Sequence, residues 1–150
     1  MKRLVPFLVL SLGLAASGCS PQRLDSFLYD PLKAPAGATD YDVSTEVIPT
    51  HEHEPVQSGG ETIDTVFIPS SGAHPDVTLI YFHGQSNDIG RAWPRLELLY
   101  PLGVNIVAVD PRGYGFSTGE PSEPGIHADV QAVWDALPAK KGLDPTKFII

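Results

Sequence analysis

The chain has 150 residues and a net charge of −8, from 10 basic against 18 acidic side chains. A hydrophobic share of 42% at this length fits one folded domain, and the lack of a basic excess argues against nucleic acid as a partner. One cysteine excludes an internal disulfide and a multi-cysteine zinc site, while 14 Gly and 15 Pro exclude a helical bundle.

The amino terminus reads as an export signal. Lys2 and Arg3 precede the apolar run Leu4 to Ala16, which is too short to span a bilayer, and small residues then lead to Cys19. The sole cysteine therefore sits at the cleavage point. Ala16-Ser17-Gly18-Cys19 resembles the lipobox of bacterial lipoproteins, with Ala16 where Leu is commoner. The resemblance implies residues 1–18 as a signal peptide, diacylglycerol on the Cys19 sulfur and a further acyl chain on the new amino terminus. Removing residues 1–18 leaves a net charge of −10, so lipid and not surface charge would hold the protein on an anionic membrane. The expected location is the bacterial cell envelope, with the domain outside the cytoplasm. Ser20 in place of Asp points to the outer membrane where one exists. Residues 19–40 carry Pro21, Pro31, Pro35 and Gly37 and read as a tether, although Phe27, Leu28 and Tyr29 are able to pack onto the domain.

Residues 41–150 read as the folded domain. Val43 to Ile48 and Thr62 to Ile68 are β-prone, and both are expected as early strands. Val77 to Phe82 and Val104 to Val109 are nearly continuous apolar runs, as in strands buried on both faces. Between them, Trp93, Leu96, Leu99 and Tyr100 have helical spacing. Ile126, Val130, Val133, Trp134 and Leu137 form a second helical stripe, and Phe148 to Ile150 opens a further strand. Strand, helix, strand, helix, strand implies parallel pairing with helices on both faces. A chain ending at Ile150 would stop inside a central strand, so this sequence is expected to be a fragment or a truncated product.

Tyr81-Phe82-His83-Gly84 closes one strand, and Asp110-Pro111-Arg112-Gly113-Tyr114-Gly115-Phe116-Ser117 closes the next. With Glu120-Pro121-Ser122 and the helix that follows, this order resembles the α/β-hydrolase family, most closely its Bem46-like serine-hydrolase branch, over roughly Glu61 to Ile150. The resemblance implies a partial α/β-hydrolase fold with a mostly parallel, doubly wound sheet, truncated before the nucleophile elbow. It also implies an activity on an ester, thioester or amide, with neither metal nor organic cofactor. By the same resemblance the Gln85 N–H is the first oxyanion donor, Gly84 allows close backbone approach, and His83 shapes the loop. The nucleophile is expected a few residues past Ile150, followed by an acid and a histidine, so the chain as it stands holds no catalytic triad. Serine and aspartate nucleophiles both occur on this fold, and the Bem46-like pattern leans to serine. The cap region that sets substrate choice is absent, so the substrate is open.

Other motifs read differently. Gly115-Phe116-Ser117-Thr118-Gly119 matches G-x-S-x-G, but a nucleophile elbow leads directly from strand to helix, and here Glu120 to Pro124 delay the helix. The same delay argues against a dinucleotide site at Gly113-Tyr114-Gly115. Arg112 reads as an ion-pairing residue, with Asp110 as its nearest candidate, and Asp129 as a solvating helix residue or a partner of the preceding loop. His51-Glu52-His53-Glu54 places two imidazoles on one side of an extended segment in an exposed loop, two ligands short of a closed metal site. A non-catalytic lipoprotein or binding module on this fold is the alternative reading.

Overall fold

The computed structural model describes residues 21–150, so the signal sequence, the lipidation site at Cys19 and Ser20 lie outside the described residues. Among the described residues three α-helices, α1 (Pro21–Leu28), α2 (Ile89–Leu99) and α3 (Glu123–Lys141), accompany six strands. The strands are β1 (Glu52–His53), β2 (Val56–Ser58), β3 (Glu61–Ile68), β4 (His74–Phe82), β5 (Val104–Asp110) and β6 (Phe148–Ile149).

The spatial order is β1-β3-β5-β4-β6, with β2 also pairing to β3. The sheet is mixed. β5, β4 and β6 are parallel, as strands joined by crossover helices must be, while β3 runs antiparallel to β1, β2 and β5. β5 lies at the centre and is buried along its whole length, which is why Val104 to Val109 contains no alternation of apolar and polar residues. Its side chains instead alternate between two cores. Ile106 and Ala108 pack with Ile89, Trp93 and Leu96 of α2, whereas Val107 and Val109 pack with Val133 and Leu137 of α3.

Both long helices are capped by their own sequence. Asp88 accepts from the Arg91 N–H to start α2, and Ser122 accepts from the Gly125 N–H to start α3. Lys140 and Lys141 lie in the last turn of α3, where cations oppose the helix dipole, and Gly142 ends it at φ +67°. The fully buried line of α3 is Gly125, Asp129, Val133 and Leu137, centred one residue away from the expected stripe. An aspartate occupies that line because it has a partner, described below.

Three expectations are corrected. Val43 to Ile48 forms no strand. Ile48 is nevertheless fully buried, and the Ser44 carbonyl accepts from the Trp93 indole N–H at 3.0 Å, so the apolar pattern reports burial without ladder pairing. His51 to Glu54 is not simply an exposed loop, since Glu52 and His53 form β1. Nor do residues 27–34 hang free as a tether. Gly115 donates its N–H to the Leu32 carbonyl and accepts from the Ala34 N–H, and the Lys33 ammonium donates to the Ser117 carbonyl. Phe27, the carboxyl-terminal neighbour of Ser26 on α1, remains exposed while Tyr29 turns toward the domain.

Candidate functional site

The carboxyl ends of β4 and β5 meet at one edge of the sheet, where open α/β sheets bind ligands. β4 ends at Phe82 and continues into His83-Gly84-Gln85; β5 ends at Asp110 and continues into Pro111 to Ser117. An open, mainly apolar pocket of about 390 Å³ lies between them. His83, Gly84, Gln85 and Tyr114 line it together with Leu28 and Tyr29 from the amino-terminal segment and Ile126 and Val130 of α3. The structure thus brings the three sequence-identified loop residues into one wall. The amino-terminal segment is fastened to that wall. Gln85 Nε2 donates to the Phe27 carbonyl at 3.1 Å, and Ser86 Oγ donates to Asp30 Oδ2 at 2.8 Å.

His83 has a buried side chain and two acceptor neighbours. Nδ1 lies 2.8 Å from the Gly84 carbonyl oxygen, and Nε2 lies 2.8 Å from Asp110 Oδ1, off the line of a straight hydrogen bond. Burial favours the neutral ring, but the Asp110 carboxylate and the Gly84 carbonyl outweigh it, and the His83 pKa lies above its ordinary value. A ring with an acceptor at each nitrogen favours the doubly protonated form.

Asp110 is wholly buried and organises both ends of this loop. Oδ1 contacts His83 and accepts from the Ile89 N–H at 2.9 Å, the first backbone donor of α2. Oδ2 meets the Tyr41 hydroxyl in a short contact. Tyr41 Oη also lies 2.9 Å from Asp64 Oδ2, and Asp64 Oδ1 lies 2.8 Å from His53 Nδ1. His53 Nε2 and His51 Nε2 both reach Asp40 Oδ1, at 3.0 and 3.1 Å. The two imidazoles therefore share a side, as alternation requires, and they share a carboxylate; among the described residues no group of side chains is arranged to hold a metal ion. The hydrogen bond that His53 donates to Asp64, helped by Asp40 and opposed by burial, raises the His53 pKa to about 9.

Arg112 does not pair with Asp110. Its guanidinium takes Asp129, Nη2 to Oδ1 at 2.7 Å, while its backbone N–H donates to Asp129 Oδ2 at 2.9 Å. Asp110 is already committed to His83, Tyr41 and Ile89, whereas α3 presents Asp129 beneath the loop. Ser117 is buried and fully engaged: Oγ accepts from the Asp64 N–H at 2.7 Å and donates to the Asp110 carbonyl. Its hydroxyl locks a turn.

Tyr41 and Asp64 escape a motif-based reading, as does the tie between Asp110, whose motif was visible, and His83. Their signal is chemical: Asp64 interrupts an apolar strand and Asp110 ends one, and a carboxylate buried in such surroundings requires donors.

Comparison with known proteins places this geometry in context. No protein-family model matches the chain. Alpha/beta hydrolase domain-containing protein 17C of Xenopus laevis is 36% identical over 74 residues, 49% of this chain and 24% of that protein. Protein 17B of Xenopus tropicalis is 35% identical over 94 residues, 62% of this chain and 32% of that one. The chain thus spans about a quarter to a third of these relatives' lengths. Among solved structures, an alpha-beta hydrolase from Vibrio vulnificus has a TM-score of 0.57 at 25% identity, over 67% of this chain and 34% of its own. An esterase from Pyrococcus furiosus has a TM-score of 0.59 at 19% identity over 80% and 44%, a likeness of fold alone. The architecture of this chain is a partial α/β-hydrolase fold.

Proposed function

We propose, with that fold as the premise, that the chain is the amino-terminal part of a membrane-anchored serine hydrolase acting on an ester, thioester or amide. The observation that carries this reading is His83-Gly84-Gln85, at the sheet's carboxyl edge against an apolar pocket, in a loop 83–89 that Asp110 holds at both ends. The Gln85 backbone N–H is the first oxyanion donor in this reading. Such a donor acts on the charge that develops on the carbonyl oxygen, and losing one costs about 10²–10³ in rate. A serine carboxyl-terminal to Ile150 attacks the carbonyl carbon, and a histidine oriented by an acid takes its proton. Ser117 takes no part, because its hydroxyl is spent on Asp64 and Asp110.

The native gene product, treated with a fluorophosphonate and mapped by mass spectrometry, tests the enzyme claim. Labelling of a serine beyond Ile150 is the expected result. Failure to label, or labelling at Ser117, overturns it; the former would leave a non-catalytic lipoprotein on this fold. The lipid anchor is tested separately by Cys19→Ser, which is expected to move the protein from the membrane fraction to the soluble one. Membrane association unchanged in that variant refutes the anchor.

A further inference from the structure

The loop that carries the proposed oxyanion donor is tied to a line of charged groups reaching the surface. From inside outward the contacts run His83 to Asp110, Asp110 to Tyr41, Tyr41 to Asp64, Asp64 to His53, and His53 to Asp40. We infer that Asp110 is a positioning residue for the loop 83–89, and that the charge on His53 sets its hold on that loop through Asp64 and Tyr41. The inference rests on the proposed role of Gln85 and deepens it.

The argument turns on Tyr41 having one proton and two buried carboxylate neighbours. Burial, with Asp110 and Asp64 adding to it, pushes the phenol far above its ordinary pKa, so the proton stays on the tyrosine. The phenol can donate to one aspartate at a time. While His53 is an imidazolium, its Nδ1–H satisfies Asp64, and the phenol proton is free to serve Asp110. Once His53 loses its charge, the one N–H left on its ring is divided between Asp64 and Asp40, and Asp64, a buried carboxylate now without its cation, competes for the phenol proton. Asp110 then depends on His83 and on the Ile89 N–H, which are the two ends of the loop. No proton leaves Tyr41 in this sequence; its O–H bond turns.

The groups facing this line come from every element packed on it. His53 meets Asp64 of β3 and Asp40 beside Tyr41; the Tyr41, Phe116 and His51 rings lie within 6.4 Å of its own. Glu52 and Glu54, its neighbours on either side, turn to Lys141 of α3, with Lys140 beside Glu54. Around Asp110 stand His83, Tyr41 and Asp64, with Asp88 near His83. Gly115 backs the Asp110–Tyr41 contact so closely that a Cβ there would fall 1.6 Å from Asp110 Oδ2. The phenol O–H thus turns between two carboxylates while its ring stays in place.

Carbon-detected NMR of the isotopically labelled full chain tests this, following the His53 ring and the Gly84 and Gln85 carbonyl carbons between about pH 6 and pH 11. The expected result is that both carbonyls move with the His53 midpoint. That movement is lost in His53→Gln, and lost in Tyr41→Phe although His53 still titrates there. Carbonyls that stay flat across the His53 transition, or that move equally in either variant, overturn the inference. Should Tyr41→Phe fail to fold, His53→Gln decides alone. A coupled loop in a protein inert to fluorophosphonate keeps the positioning device and removes the hydrolase, while a flat loop in a labelled protein does the reverse.

Discussion

The Arg112 guanidinium grips the Asp129 carboxylate from the side, with Nη2 2.7 Å from Oδ1 and Nε 3.1 Å from Oδ2. Asp129 is fully buried, and the Arg112 side chain is mostly covered. This pair staples the loop after β5 to the middle of α3, and so fixes the wall of the pocket that Pro111 and Tyr114 build. Removing one partner of a buried pair leaves an uncompensated charge, at a cost of about 3–5 kcal/mol. Asp129→Ala is therefore expected to lower the urea midpoint by that equivalent with an unchanged slope. A loss below 1 kcal/mol, read by circular dichroism, would show that the staple is dispensable.

The sequence made this loop visible but mispaired its arginine. Asp110 is two positions from Arg112 in the chain, and adjacency suggested the pair; the fold instead spends Asp110 on three other donors. β5, buried on both faces, was legible because its composition leaves few alternatives; β4 was legible from the same kind of apolar run, although only Thr78 and Ile80 of that run are buried and the rest of it is half-covered. Val43 to Ile48 was not, since an apolar segment lying over a core and a strand in a sheet share one composition. The network from His53 to Asp110 joins residues 57 positions apart and leaves no local pattern; only the oddity of carboxylates within apolar strands hints at it.

Gly115 provides a test of close approach. It sits at φ +45°, and a Cβ would lie 1.6 Å from Asp110 Oδ2 and 2.7 Å from Tyr41 Oη. Gly142 also has positive φ but open space around its Cβ direction. Gly142→Ala is expected to cost about 1 kcal/mol, the backbone penalty alone. Gly115→Ala adds overpacking against a fixed carboxylate and is expected to cost about 3 kcal/mol or more. Equal thermal shifts for the two variants would contradict the crowding at Asp110.

Ser117→Ala tests whether that serine is structural. It removes the acceptor of the Asp64 N–H and the donor to the Asp110 carbonyl, both buried. A buried group left unsatisfied costs about 1–3 kcal/mol. The expected result is a melting temperature lowered accordingly. Unchanged stability would show that the Ser117 hydroxyl does not hold the turn.

The pH dependence of stability follows from His53. Its pKa in the folded chain is raised to about 9 from 6.5, because the hydrogen bond it donates to Asp64 outweighs burial, with Asp40 assisting. A group raised on folding binds its proton more tightly in the native state, so its contribution is complete below the unfolded pKa and disappears as pH rises through the folded one. Stability is thus expected to fall between about pH 6.5 and pH 9. His83, also raised, acts in the same direction. Urea titrations across this range should show the decline in the wild type and a flatter profile in His53→Gln. A wild-type profile that rises with pH, or one unaltered by the substitution, would show that the imidazolium between Asp64 and Asp40 does not form.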